Sequence, residues 1–436
     1  MIGSHLRDNN DNSNKWSFKP ELTNNFYMNE SYESFNSYDT QEGSIIRKLG
    51  AAELVYEYEI PTKGLLLPFT LVFNSCVNLF EHKNKIEKAI NKWKTSHPFL
   101  CAKIQTKQDL EHADFSRERY FVYASKDKIK SMDNVKYLIL DNEMDWIKYH
   151  EIEMNSEPVD SKNGLLWRIA FLKLNTCQKY CIILTIHHAI IDGRNAPVLL
   201  QQLLYFIEKS IQNKRIEDRV YQVYPSIEET LFKNNRNEMK NVKFNPDYFI
   251  PHQNRIPKEF KNKKQTDNNE SVDSKFKCFT IKNEKFRGLY KNSKLNKTKL
   301  TGCLNVVTAL ACLEMYKEFK CNQKQDNELY ENAKLSNLLL DLFDENIQFQ
   351  NGGSHFCISN VGRIDHAYKM QLFKTKEMFF SVSVKENRWS AVNFNGLCTI
   401  DDTLCWSLCY NSYCYDDDVI DFLIQKIIFI IDCICE

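Results

Sequence analysis

The strongest constraint on this chain is an apolar run, from Tyr180 to Ile186, that ends directly in polar residues. A continuous apolar run of this length predicts a buried strand, and the helical spacing that begins at Ala196 predicts a helix after it. Between the two lie paired histidines, an aspartate and a glycine: His187, His188, Asp192 and Gly193. A turn between a strand and a helix holds such side chains on a rigid scaffold, so the pattern predicts a functional site here.

The residue types in this turn favour proton transfer. Adjacent strand residues point to opposite sides of a sheet, so one histidine can face a cavity while the other packs into the scaffold. Histidine changes its charge near neutral pH, which suits a general base. Asp192 could orient an imidazole or hold a cation that fixes the loop, and Gly193 permits a crowded backbone. The simplest interpretation is base-catalysed group transfer.

Other interpretations of the same turn stay open at this point. A single histidine at a strand end is commonly structural. A metal site would need His187, His188 and Asp192 to converge on one ion, which adjacent strand residues rarely do, so no metal is expected. A thiol nucleophile would have to be Cys181 or Cys357, and neither shows an activating setting in the sequence.

Length and composition limit the class of protein. A chain of 436 residues exceeds what one hydrophobic core usually accommodates, which predicts two lobes. Its 58 Lys and Arg residues balance 57 Asp and Glu residues, so the net charge favours neither nucleic acid nor an anionic membrane as a partner. The N-terminus does not resemble a signal peptide, and no apolar run has the length of a membrane span. The 15 cysteines are scattered without a Cys-x-x-Cys pair, which favours reduced thiols and a cytoplasmic location.

The polarity of the chain divides it into four segments. Residues 1–44 are rich in Asn, Ser, Asp and Glu and are predicted to be disordered. Residues 45–232 alternate strand-like and helical patterns and form the predicted N-terminal lobe, which carries the histidine turn. Residues 233–274 form a predicted polar inter-lobe linker, and residues 275–436 form the predicted C-terminal lobe. The predicted fold class is α/β or α+β with mixed sheets, and the helical stripe at Asp416 to Cys435 is predicted to pack in the core.

The sequence from His187 to Gly193 resembles the HHxxxDG motif of the CoA-dependent acyltransferase superfamily. That superfamily includes peptide-synthetase condensation domains, alcohol acetyltransferases, polyketide-associated acyltransferases and a branch of plant acyltransferases. Four further segments resemble it in the expected order: Arg47–Glu53, His97–Leu100, Gly164–Arg168 and Ser359–Gly362. Cys101 stands where condensation domains usually carry an arginine, and the DFGWG motif of the plant branch is absent. The alcohol acetyltransferase-like branch is therefore the closest in sequence pattern.

The resemblance implies an architecture and a set of roles. It implies two chloramphenicol acetyltransferase-like lobes with an active-site tunnel between them. His188 would be the general base on a hydroxyl or amine acceptor, which would attack an acyl-CoA thioester. His187 would support the loop. Asp192 would be structural and paired with an arginine, for which Arg168 is the first candidate and Arg363 the second.

The resemblance also implies roles for three further residues and a set of partners. Asn360 and Gly362 of the C-terminal lobe would line the tunnel, and Gly193 would support the turn. Acyl-CoA is the expected co-substrate with a small acceptor and no bound cofactor, and a monomer is compatible with a sequence that leaves the oligomeric state open. Two alternatives fit the same pattern: a free-standing condensation-type enzyme with a carrier-bound acyl donor, and a catalytically silent binding protein. CoA is favoured because the sequence shows no carrier domain, and activity is favoured because the motif is intact.

Overall fold

A computed structural model describes residues 42–58, 66–106, 118–157, 159–174, 178–231, 273–320, 356–364, 368–383, 393–412 and 415–435. The predicted disordered segment 1–44 lies outside the described residues except for 42–44. The predicted linker 233–274 also lies outside them except for its last two residues.

Strands and helices are interspersed along the described residues. The strands are Ile45–Lys48 (β1), Leu66–Ser75 (β2), Ala102–Thr106 (β3), Arg119–Tyr123 (β4), Val135–Leu140 (β5), Trp167–Leu174 (β6), Lys179–His187 (β7), Ser274–Lys282 (β8), Phe356–Ile364 (β9), Phe373–Phe380 (β10), Asn393–Ile400 (β11) and Thr403–Asn411 (β12). The α-helices are Ala51–Tyr58 (α1), Lys83–Ser96 (α2), Lys126–Lys130 (α3), Asp145–Asn155 (α4), Asn195–Ile211 (α5), Ile227–Leu231 (α6), Asn283–Leu295 (α7), Leu300–Lys320 (α8) and Asp417–Cys435 (α9). Short 3₁₀ turns lie at Leu79–His82, Pro98–Cys101 and His188–Ile190.

A five-stranded central sheet has the order β10-β2-β7-β6-β5. β5 and β6 run parallel, and the other neighbouring strands run antiparallel. Helices α2 and α5 pack against this sheet in one large apolar core, which is why β2 and β7 are apolar along nearly their whole length. The register places Leu66 opposite His187, so the histidine turn follows β7 at the end of the sheet where β2 begins.

A second, four-stranded sheet has the order β8-β12-β11-β9, with β9 and β11 parallel. Helices α7, α8 and α9 share its apolar core. The predicted core stripe of the last helix is confirmed, because α9 buries one face of aliphatic side chains: Ile420, Leu423, Ile427 and Ile431. The burial of this apolar face therefore stabilises the packing of α9 against the second sheet.

Strand β10 joins the two halves of the chain. It belongs to the predicted C-terminal lobe, 275–436, but it pairs antiparallel with β2 in the central sheet, with Phe380 opposite Phe69. An alternating apolar pattern identifies a strand without naming its partner, because strand pairing is a long-range choice. The central sheet is therefore built from both halves of the sequence.

A buried histidine strengthens the connection between the halves. The ring of His150 on α4 lies between two hydroxyl groups, with Nδ1 2.6 Å from Thr70 Oγ1 and Nε2 2.6 Å from Ser381 Oγ. Phe276 of β8 stacks on the same ring at 4.0 Å. Burial lowers the pKa of His150 to about 3, so the imidazole is neutral in the folded chain.

A small third sheet, β1-β4-β3, lies beside the histidine turn. Its apolar cluster includes Leu49, Phe121 and Ala189, with Tyr56 packed at its margin. The described chain is thus a mixed α/β fold with both parallel and antiparallel pairs, which confirms the predicted fold class; the tunnel stays a prediction. Within the described ranges, no helix combines the length and apolar character needed to cross a membrane.

Candidate active site

The two histidines occupy different environments. β7 ends at His187, and His188 begins the single 3₁₀ turn that leads towards α5. His187 is fully buried, whereas His188 is partly buried. Opposed directions of adjacent side chains at a strand end account for this difference.

His188 is held in one tautomer and one ring plane. Its Nδ1 lies 2.8 Å from the carbonyl oxygen of Ile191 and, because a carbonyl can only accept, Nδ1 carries the proton. Nε2 then carries the lone pair. The ring of Tyr56 on α1 stacks on the imidazole with centroids 3.8 Å apart and 5° between the planes. A lone pair on a fixed ring is the geometry that a general base needs.

The surroundings of His188 favour its neutral form. Burial lowers the pKa of His188, and the hydrogen bond to Ile191 and the charge of Asp192 oppose this shift without cancelling it. An imidazole with a lowered pKa is unprotonated at neutral pH, so it is ready to accept a proton.

His187 has the opposite tautomer. Its Nδ1 accepts a hydrogen bond of 3.1 Å from the N–H of Ala189, which leaves the proton on Nε2. Nε2 lies 3.2 Å from Oε2 of Glu57, although the two groups lack the alignment of a hydrogen bond. The other carboxylate oxygen, Oε1, accepts from Ser161 Oγ at 3.0 Å and from Nη1 of Arg119. The structure therefore adds Tyr56 and Glu57 to the site.

Sequence reasoning missed both of these α1 residues. Arg47 pairs with Glu53 at 2.7 Å, and its guanidinium lies over the rings of Phe99 and Phe121. Glu53 also accepts from the backbone of Gly50 at 2.8 Å, so these contacts fix the start of α1. The segment Arg47–Glu53, noted for its resemblance, was therefore the one signal that α1 matters. Nothing in the sequence linked the helix to the histidines.

Asp192 fixes the start of α5. Its Oδ1 accepts from the backbone N–H groups of Arg194 at 2.9 Å and Asn195 at 2.8 Å, and Oδ2 accepts from Asn195 Nδ2 at 2.9 Å. A carboxylate beside the first N–H groups of a helix satisfies them and complements the helix dipole. These contacts fit the structural role expected for Asp192.

The predicted pair between Asp192 and Arg168 is wrong. Nε of Arg168 donates to Oε2 of Glu153 at 2.6 Å, and Nη1 donates to the carbonyl of Glu157 at 2.8 Å. Arg168 lies opposite Thr185 in the sheet, two residues before the end of β7, so α4 offers the nearer carboxylate. The second candidate, Arg363, lies exposed on β9.

Gly193 brings the turn against the second sheet. A Cβ atom at this position would lie 2.8 Å from Cγ1 of Val361, so the absence of a side chain permits the close approach. Asn360, which precedes Val361, donates from Nδ2 to Thr301 at 3.0 Å and accepts from the N–H of Gly362 at 2.9 Å. Gly362 has a φ of +83°, which favours glycine. The structure therefore places the predicted Asn360 and Gly362 beside the turn; their lining of a tunnel stays a prediction.

A cavity of about 340 Å³ opens behind the buried histidine. Its lining comes from the N-terminal half of the chain: Glu57, Ile104, Gln105, Thr106, Arg119, Ser161 and Lys162. Glu57 thus separates this cavity from His187. The cavity is polar and lies within one half, so it differs from the tunnel expected between the lobes.

The thiol alternative has no structural support. Cys181 is fully buried, and burial raises its pKa well above the usual value. Burial also raises the pKa of Cys357. A nucleophilic cysteine needs a lowered pKa, so both residues are neutral thiols at neutral pH.

Comparison with known proteins finds similar structures but no match in sequence. No protein-family model matches the sequence, and no curated protein matches it. The wax ester synthase/diacylglycerol acyltransferase from Marinobacter aquaeolei VT8 is similar in structure, with a TM-score of 0.52 and 10% identity over 89% of this chain and 99% of that chain. The trichothecene 15-O-acetyltransferase TRI3 from Fusarium sporotrichioides is similar with a TM-score of 0.53 and 11% identity, over 89% and 95%.

A third similar structure comes from peptide synthesis. The first condensation domain of the calcium-dependent antibiotic synthetase has a TM-score of 0.56 and 10% identity, and the match covers 90% of this chain and 98% of that chain. Nearly the whole length of each neighbour is matched, so the similarity concerns the complete architecture. The chain therefore has the chloramphenicol acetyltransferase-like fold of these condensation domains and acyltransferases.

Proposed function

We propose that this protein transfers an acyl group from an acyl-CoA thioester to a hydroxyl or amine acceptor, with His188 as the general base. One observation carries the proposal: the hydrogen bond from Nδ1 of His188 to Ile191 leaves Nε2 with a lone pair on a ring fixed by Tyr56. Acyl transfer needs such a group to remove the acceptor proton.

The proposed reaction uses this geometry in two steps. Nε2 of His188 takes the proton of the acceptor O–H or N–H as that atom forms a bond to the thioester carbonyl carbon. The tetrahedral intermediate then expels the CoA thiolate, and the imidazolium returns the proton to the sulfur. The carbonyl of Ile191 accepts from Nδ1 throughout, so it stabilises the imidazolium that forms between the two steps.

Similar structures support the class of reaction. Two of them are named as acyltransferases, one as a trichothecene 15-O-acetyltransferase and one as a wax ester synthase/diacylglycerol acyltransferase. The third is a condensation domain, which supports the alternative of a carrier-bound acyl donor equally well at the level of the fold. CoA is proposed as the donor because the sequence pattern is closest to the alcohol acetyltransferase-like branch.

The test is a replacement of the proposed base. The purified chain is incubated with a mixture of acyl-CoAs and a metabolite extract, and acylated products are identified by mass spectrometry. His188→Ala should lower turnover by roughly 10²- to 10⁴-fold, the usual contribution of general base catalysis. His82→Ala, in the turn before α2, is the matched histidine control and should leave turnover unchanged. An unchanged rate in His188→Ala at wild-type stability would contradict the assignment.

The donor alternatives are separated by the same assay. Acylation with a synthetic acylated carrier but with no acyl-CoA would identify a condensation-type enzyme. Failure to bind any acyl-CoA or acylated carrier, measured by calorimetry, would identify a silent protein with this fold. Activity with acyl-CoA alone is the expected result.

A further inference from the structure

Helix α1 contacts both histidines of the turn through two consecutive residues. Tyr56 stacks on the ring of His188, and the carboxylate of Glu57 faces Nε2 of His187. Consecutive helical residues project about 100° apart, so one edge of a short helix can reach two side chains that point in opposed directions. Helix α1 therefore contacts the proposed base, His188, and also the adjacent His187.

The contact between Glu57 and His187 is buried. Glu57 is 7% exposed and His187 is fully buried. Oε2 of Glu57 and Nε2 of His187 have no hydrogen-bond partner among the described residues, and they lie 3.2 Å from each other. An unpaired buried polar atom is costly, because it has lost its hydrogen bonds to water. Each atom therefore depends on the other for compensation.

The tautomer of His187 connects this contact to the base. Nδ1 of His187 accepts from the N–H of Ala189, the residue that follows His188, so the ring restrains the turn on which His188 lies. That contact requires an unprotonated Nδ1, and hence a proton on Nε2. The carboxylate of Glu57, with Oε2 3.2 Å from Nε2, is the group whose charge favours a proton there.

Cationic and hydroxyl groups lie around the other oxygen of Glu57. Arg119 on β4 and Ser161 donate to Oε1, and Lys162 lies on the wall of the adjacent cavity. One cationic residue therefore contacts this carboxylate, and a second lines the same cavity. The oxygen that faces His187 is left to act as an acceptor.

We infer that Glu57 is a positioning residue for the proposed reaction: through His187 it fixes the turn that carries His188. Glu57 acts on the imidazole of His187 and does not itself touch the reacting atoms. This inference rests on the proposed function of His188, and its structural half can be measured without any reaction.

The tautomer is tested by NMR on protein labelled with ¹⁵N-histidine, in which His187→Gln identifies the His187 signals by their loss. The wild type should show a protonated Nε2 and an unprotonated Nδ1 for this residue. Glu57→Leu removes the acceptor and should replace this pattern by a mixture of tautomers. Glu57→Asp keeps a carboxylate at this position and should preserve more of the wild-type pattern than Glu57→Leu. An unchanged pattern in Glu57→Leu would overturn the inference.

The kinetic arm uses the same variants. Glu57→Leu should lower kcat by up to about 100-fold with little change in KM, because a small misplacement of a catalytic group costs that much. Glu57→Asp should retain more of the rate than Glu57→Leu. Ser161→Ala, which removes a hydrogen bond from Oε1 but leaves Oε2 facing His187, is the matched control and should retain both the rate and the tautomer.

The outcomes separate the two proposals. If His188→Ala is inactive while Glu57→Leu keeps full activity, the inference fails and the proposed function stands. If His188→Ala keeps its activity, the proposed function fails, and the NMR pattern alone decides whether Glu57 positions His187. If Ser161→Ala matches Glu57→Leu in both readouts, the inference is overturned, because Glu57 would then act through its network with Arg119.

Discussion

Replacing Gly193 with alanine should destabilise the protein, because the turn packs directly on the second sheet. The new Cβ would lie 2.8 Å from Cγ1 of Val361, well inside the roughly 3.5–4.0 Å at which carbon atoms attract. Val361 is buried, with 8% exposure, and a β-branched side chain has few χ1 alternatives. Relief therefore requires a backbone shift, and overpacking of this kind costs about 1–3 kcal/mol.

The double variant tests whether Val361 is the cause. Val361→Ala removes two methyl groups and should cost about 1.6 kcal/mol from lost burial, at about 0.8 kcal/mol for each group. In Gly193→Ala/Val361→Ala the obstructing Cγ1 is gone, so the combined loss should be smaller than the sum of the two single losses. The expected coupling is about 1–3 kcal/mol, within the range for residues in contact.

Stability is measured by urea unfolding followed through tryptophan fluorescence, since the chain has 6 tryptophans. Gly302→Ala, inside helix α8, is the control and should be neutral or stabilising because alanine favours helices over glycine. Additive losses in the double variant, or full stability in Gly193→Ala, would refute the close contact between the turn and β9.

Two further predictions concern buried titratable groups. Burial lowers the pKa of His97 to about 4 and that of His150 to about 3, so between these values and about 6.5 the unfolded chain binds protons that the folded chain does not. The free energy of unfolding should therefore fall as the pH is lowered through this window, by up to about 1.4 kcal/mol per pH unit for each histidine. Urea titrations at several pH values measure this slope, and His150→Gln should reduce it. A stability that does not change with pH would contradict the burial of both rings. Arg168→Met should destabilise the chain by roughly 1.5–3 kcal/mol because it leaves the buried carboxylate of Glu153 without its charged partner, whereas an effect confined to activity would indicate that Arg168 serves the histidine turn instead.

The arrangement of strand, turn and helix around the histidines could be predicted locally. The apolar run before His187 requires burial on both faces, and the polar residues after it cannot continue such a strand. Asp192 also acts locally, by accepting from the first N–H groups of α5, but the sequence analysis expected an arginine partner instead. The strand and the turn depend on neighbours within a few residues, so the sequence alone was enough to predict them.

The contacts that define the site depend on residues distant in the chain. Tyr56 and Glu57 reach the histidines only because the small sheet holds α1 against the turn. Arg168 pairs with Glu153 because α4 packs over its side of the sheet, which no spacing in the sequence specifies.

The sequence by itself determined the buried strand β7, the helix after it, the mixed fold class and the position of the histidine turn, because hydrophobic periodicity is a local signal. The tertiary structure alone decided that β10 pairs with β2, that Gly193 meets Val361 and that His188 and His187 carry opposite tautomers. Each of these depends on which surfaces meet when the apolar faces are buried. A hydrogen bond or a strand pair forms with whatever partner that burial brings within reach.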